Sequence, residues 1–299
     1  MIKVAYSDKY LYQLPEGHRF PISKYELVKD QLLYEGIIQN VQLFDPGKIN
    51  KEILLAHSQD YYEKILNFRL TKSELRKLGV PLHQRSVGRA LNSVAGTLKS
   101  ANNALNDGLG INIGGGYHHA FYDHGEGFCI FNDLAVSARY LHQNHFADKI
   151  LIIDLDVHQG NGTASILKNE PDIFTLSVHG KNNYPHKKEV SDLDVPVSDH
   201  INDKSYLSIL GKVLSSVIGQ FSPDFILYQS GVDVLESDKL GKLSLTIEGC
   251  LQRDKMVMEL AKSLRVPLVI TLGGGYSHKI KHIIKAHVNT IRIAIENLS

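Results

Sequence analysis

Five short stretches hold the residues whose types and spacing could do chemistry. In "DLDVHQGNG" (154–162), Asp154, Asp156 and His158 stand at i, i+2 and i+4, directly after the apolar run of Ile150 to Ile153. If the chain stays extended, such positions leave the same face of a strand. Carboxylate oxygen and imidazole nitrogen both bind zinc, and a catalytic zinc takes three protein ligands and keeps one position open. Two of these residues can meet one ion; the competing reading has the aspartates capping the next helix and His158 in a polar loop. A further ligand must come from elsewhere. Asp233 in "QSGVD" is the natural candidate, since it ends another apolar run and follows a glycine that permits a tight turn.

"GGGYHHA" (114–120) places His118 and His119 just beyond a glycine turn. Imidazoles titrate near ~6.5, which suits them to take a proton from water and return one to a leaving amine. No Gly-Lys-Ser/Thr follows, so this is not a phosphate loop. "GGGYSH" (273–278) delivers Tyr276. Its hydroxyl could donate to a carbonyl oxygen as negative charge develops there, although alone it reads as a tyrosine packed under a loop. Gly127-Phe128 alone reads as core, but in a narrow pocket the ring would hold an alkyl chain by burial.

Elements must position these groups, and the sequence alternates short apolar runs with helical patterns. Strands are expected at 2–6, "GINI", "KILIID", "IFTLSV", "DFILYQS" and "PLVIT". Helices are expected at 24–35, from Ser58, from Ser86 to about Asp107, and at 133–145, 203–220, 247–264 and about 279–297, with a short one after "DLDVHQG". Strands apolar on both faces and separated by helices predict an α/β fold, a single domain with a mostly parallel central sheet and helices on both faces. In such sheets ligands bind beyond the carboxyl ends of the strands. The chemically loaded residues all lie there.

Composition excludes several function classes. Hydrophobic residues make up 43% of the 299 and charged residues 22%, which is the balance of a globular protein rather than a disordered one. A net charge of +1 without runs of like charge gives no footprint for nucleic acid or an anionic membrane. Cys129 and Cys250 are too few and too far apart for a disulfide framework or a cysteine zinc module, and no segment has the ~20 apolar residues of a membrane helix. These features predict a cytoplasmic protein.

Taken together, "GGGYHHA", "GFCIFND", "DLDVHQGNG", "SVHG", "SGVD" and "LGGGY" resemble the zinc-dependent histone deacetylases of the arginase/deacetylase superfamily, in that family's order and over nearly the whole chain. "DLDVHQGNG" and "PEGHRFP" look closest to the class IV branch and its bacterial relatives. The resemblance implies an arginase/deacetylase-like fold and hydrolysis of acylated lysine side chains. It implies Asp156, His158 and Asp233 as metal ligands, with Zn2+ as the ion, or Fe2+, which the same donors suit. It makes His119 the general base on the attacking water, His118 the partner that helps protonate the amine, Asp154 the group orienting His118, and Tyr276 the oxyanion donor. Gly127, Phe128 and Gly274 are placed against substrate. A structural K+ near Asp154, Asp156, His158, Ser177 and Val178 is also implied. Two departures stand out. Gln159 and Asn161 replace the His and Asp of many members, and an asparagine carbonyl can accept the His119 ring N–H without supplying charge. The segment "HGKNNYPHKKEVSDLDVPV" replaces the usual tunnel wall, with Tyr184 as the candidate second wall. The arginase branch would need a second Asp shortly after Asp233, and Asp238 is too distant for that spacing. An acetylpolyamine amidohydrolase and a non-catalytic acyl-lysine binding module are the rival readings; the latter would be expected to have lost one of these residues.

Overall fold

The computed structural model describes residues 1–298. The apolar runs form one eight-stranded sheet from β1 (Lys3–Ala5), β2 (Leu43–Phe44), β3 (Leu109–Asn112), β4 (Ile150–Asp154), β5 (Ile173–Gly180), β6 (Leu193–Val197), β7 (Phe225–Gln229) and β8 (Leu268–Thr271). Their order is β2-β1-β3-β8-β7-β4-β5-β6, and every pairing is parallel. The expected mostly parallel sheet is therefore wholly parallel. Nine α-helices connect the strands among the described residues: α1 (Lys24–Tyr34), α2 (Gln59–Leu66), α3 (Lys72–Leu78), α4 (Gln84–Asp107), α5 (Asp133–Gln143), α6 (Asn161–Leu167), α7 (Asp203–Gln220), α8 (Ile247–Leu264) and α9 (Ile280–Leu298).

Alternation along the strands explains why both faces need cover. Leu151 and Ile153 of β4 pack with Tyr25, Leu210, Met258 and Ile291 from α1, α7, α8 and α9. Their neighbours Ile150 and Ile152 point the other way, among Val94, Leu134 and Ile166 from α4, α5 and α6. Fully burying each such side chain contributes about 1.5–3 kcal/mol, enough to offset the ordering of its backbone.

Three elements escape the sequence patterns: β2, α3 and β6. The last lies within the segment "HGKNNYPHKKEVSDLDVPV", to which no strand is assigned, because an edge strand is only partly buried and carries little apolar signal. Pro196 is tolerated there since an edge strand can spare an amide donor. Helix α4 also begins at Gln84, capped by the His83 side chain rather than from Ser86.

Candidate active site

Strand β4 stops at Asp154, and two aspartates then turn the chain. Asp154 Oδ1 accepts the Asp156 N–H at 3.1 Å, and Asp156 Oδ1 accepts the His158 N–H at 3.0 Å. An aspartate bonded to the amide two residues on forms an Asx turn, so the segment does not stay extended as the spacing argument assumed. The turns sort the three groups. Asp154 faces His118, whereas Asp156 and His158 swing toward Asp233 at the end of β7. His158 Nδ1 lies 3.0 Å from Asp156 Oδ1 and 3.1 Å from Asp233 Oδ2. One ligand atom from each of the three lies within 4.8 Å of the others, all are buried, and this is the only such group among the described residues. Two carboxylates and an imidazole at this separation fit a divalent ion.

The two loops that carry these ligands are tied together from behind. The fully buried Arg253 of α8 donates from Nη1 to Leu155 O at 3.1 Å and to Gly231 O at 2.6 Å, while Asp254 neutralises it at 2.6 Å. The Gly274 N–H donates to Asp156 Oδ2 at 2.9 Å. A Cβ at this position would collide with the carboxylates of Asp233 and Asp156. Gly274 thus sits against the ligands, beside a small inner cavity that Tyr276 also lines.

A carboxylate also shapes the turn that presents the histidines. Asp133, at the start of α5, accepts the N–H of Gly116 and of Tyr117 at 3.0 and 2.7 Å. The His118 and His119 rings then lie 4.0 Å apart, each with a different partner. His118 Nδ1 is 2.7 Å from Asp154 Oδ2, and His119 Nδ1 is 2.7 Å from Asn161 Oδ1. Burial disfavours charge on His118, but Asp154 and then Asp156 outweigh it and push the ring up to about 9. For His119, burial and the charges of His118 and His158 hold the ring well below its ordinary value. The surroundings thus favour the charged form of His118 and the neutral form of His119. Tyr276 stays protonated, since burial and the charges of Asp233 and Asp156 raise its hydroxyl well above the usual range.

Above this cluster opens a cavity of about 690 Å³, reached by His119, His158 and Tyr276 at its base and by Gly127, Phe128 and Tyr184 along its walls. Gly127 has φ +53°, and a Cβ there would lie 2.6 Å from His119 Cδ2. Tyr184 stands edge-on to His119 with ring centroids 5.0 Å apart, and its hydroxyl donates to Glu126 at 2.6 Å.

The model of the histone deacetylase domain matches residues 18–291. The chain belongs to the histone deacetylase family. That family lies in the arginase/deacetylase superfamily, and a deacetylase function goes with the domain. The chain is 40% identical over 285 residues to an uncharacterized protein of a Picosynechococcus species, covering 95% of each. It is 30% identical to the acetoin utilization protein AcuC of Staphylococcus aureus, over 91% of this chain and 76% of that one. It is 28% identical to histone deacetylase 2 of Arabidopsis thaliana, over 100% of this chain and 79% of the relative. The crystal structure of an HDAC homologue from Aquifex aeolicus superposes with a TM-score of 0.84 at 24% identity, covering 99% of this chain and 84% of that one.

Several residues that build this deacetylase site gave no signal in sequence. Asp238, too distant for a second metal ligand, accepts the Tyr276 N–H at 2.6 Å and so sets the tyrosine's backbone. Lys24 is fully buried, donates to Gly273 O at 2.6 Å and lies 5.7 Å from the centre of the Tyr276 ring. Glu126 accepts from Asn161 Nδ2 at 3.4 Å, which places a carboxylate one residue behind the His119 partner. Arg253 is hidden in a helical pattern. Asp133 alone was visible, inside "GFCIFND", but without a role.

Proposed function

We propose that this deacetylase is a metal-dependent amidohydrolase that removes acetyl or longer acyl groups from the ε-amine of lysine side chains in proteins. The observation that carries the reading is the pair of adjacent imidazoles, one set on the Asp154 carboxylate and the other on the Asn161 amide oxygen, beside the Asp156, His158 and Asp233 group at the base of an aromatic-walled cavity. Asp156, His158 and Asp233 would hold a divalent ion, zinc or ferrous iron, which would supply Lewis acidity for the amide carbonyl and for a water. His119 receives the water's proton at Nε2 while Asn161 holds its Nδ1–H. His118, charged and braced by Asp154, gives a proton to the departing amine. Tyr276 donates its hydroxyl proton in a hydrogen bond to the carbonyl oxygen as charge grows there. Phe128 and Tyr184 enclose the alkyl chain and keep water from its length. A potassium ion beside Asp154 and Ser177, which pair in register on β4 and β5, belongs to the same reading. Two free, buried cysteines support a reducing cytoplasm as its setting.

The test is turnover of acyl-lysine peptides of graded chain length, run beside acetylpolyamines, with zinc-loaded, iron-loaded and chelated protein. Peptide hydrolysis that disappears with the metal and returns on reloading is expected. Turnover indifferent to chelators, or tight peptide binding without turnover in a metal-loaded sample, would overturn the proposal.

A further inference from the structure

Three chain segments meet at the mouth of the cavity, and each brings cations to it. Arg76 and Lys77 come from the last turn of α3, Arg19 from the loop before α1, and Lys187 from the segment after Tyr184. All four are exposed and none has an ion-pair partner among the described residues. Two carboxylates share this lining, Glu126 and Glu189. Glu126 is already engaged, by Tyr184 at 2.6 Å and by His124 at 3.6 Å. A chain of net charge +1 thus concentrates unpaired positive charge at one opening.

These cations ride on fixed supports rather than free loops. The Lys77 and Leu78 carbonyls accept the N–H groups of Gly127 and Phe128 at 3.2 and 2.8 Å, which straps the end of α3 to the cavity wall. His18, next to Arg19, bonds Gly79 O at 2.8 Å. Lys188, next to Lys187, donates to Pro185 O and Asn183 O at 2.6 and 2.7 Å.

We propose that this rim selects the flanks of the substrate: the preferred substrate is an acyl-lysine with acidic residues on either side, and polycations such as lysine-rich tails and acetylpolyamines are disfavoured. The inference rests on the function proposed above and adds the substrate's charge class. Water-exposed charges act over about a Debye length of 10 Å at 0.1 M salt. Selection is therefore read in KM at low salt.

Three acetyl-lysine peptides that differ only in flanks, acidic, neutral or basic, are compared at about 20 mM and about 300 mM salt, together with the combined variant Arg76→Glu, Lys77→Glu and Lys187→Glu. The acidic peptide should exceed the basic one about tenfold in kcat/KM at low salt, through KM. The gap should close at high salt and invert in the variant, whose kcat on the neutral peptide stays unchanged. Equal kcat/KM for all flanks, or preference for the basic peptide, overturns the rim proposal. The neutral peptide judges the underlying reading separately: if nothing is cleaved, that reading fails. Anisotropy of the labelled peptides bound to metal-free and metal-loaded protein then decides the rim by itself, with tighter binding of the acidic peptide supporting it and equal binding refuting it.

Discussion

Replacing Asn161 by aspartate should move the acidic limb of the pH–rate profile to higher pH. The neighbouring histidine has the arrangement that this substitution would copy. Asp154 and Asn161 stand at the same 2.7 Å from the Nδ1 atoms of adjacent histidines. Against the cost of burial, Asp154 and then Asp156 push His118 up to about 9, whereas burial and the charges of His118 and His158 hold His119 well below its ordinary value, with only an amide to oppose them at Nδ1. A carboxylate at 161 stabilises the charged form of His119, and such a neighbour shifts a titration by roughly 1–3 units, each unit being ~1.36 kcal/mol. His119 must be neutral to accept a proton. Raising its pKa therefore leaves the ring protonated to higher pH, and kcat/KM falls sooner on acidification. Glu126 complicates the magnitude: it now accepts from Asn161 Nδ2 at 3.4 Å and would face the new carboxylate as a like charge. That repulsion weakens the shift in Asn161→Asp alone, and adding Glu126→Gln should restore it. The assay is kcat/KM on one acyl-lysine peptide from about pH 5 to 9, which reports the free enzyme's acid and base. If the limb stays in place in both variants, or moves to lower pH, the assignment of His119 as the neutral base is wrong.

Other expectations follow from the same geometry. Tyr276→Phe should lower kcat by about 10²–10³-fold with little change in KM or metal content, as for loss of one oxyanion donor; a change confined to KM would argue against that role. Asp154→Asn removes the carboxylate that raises His118, so the basic limb should fall to lower pH while metal stoichiometry is retained; elemental analysis beside the profile checks both. Arg253→Met strands Asp254 as an uncompensated buried charge and should cost about 3–5 kcal/mol in urea unfolding, and an unaltered midpoint would refute the clamp. His57 is buried, accepts the Asn132 N–H at 2.9 Å and is held down to about 3 chiefly by burial. Between that value and the unfolded ~6.5 the unfolded chain binds the extra proton, so stability present above pH 6.5 is lost on acidification, about 2 kcal/mol by pH 5; a His57→Gln protein with the same pH slope would exclude this source.

Much of the architecture was legible because the central strands are apolar on both faces, so Ile150 to Ile153 or Phe225 to Tyr228 stand out as unbroken runs. The β6 strand was not, since its outer edge needs no apolar residues. At the site, side chains at strand ends were recognisable by type, and Asp156, His158 and Asp233 do converge. The assumption that linked them, an extended chain past Asp154, fails because aspartate side chains compete for the backbone amides two residues ahead. Arg253, Lys24 and Asp238 were illegible for a different reason. Each acts on main-chain atoms brought near by tertiary folding, and no local pattern records such a contact.

The paired aspartate turns after β4 have a consequence for what a substitution there would disturb. Asp156 Oδ1 both accepts the His158 amide and faces its ring, so one oxygen serves chain geometry and ligand geometry together. An exchange of Asp156 for alanine would therefore release the turn to His158 along with the candidate ligand oxygen.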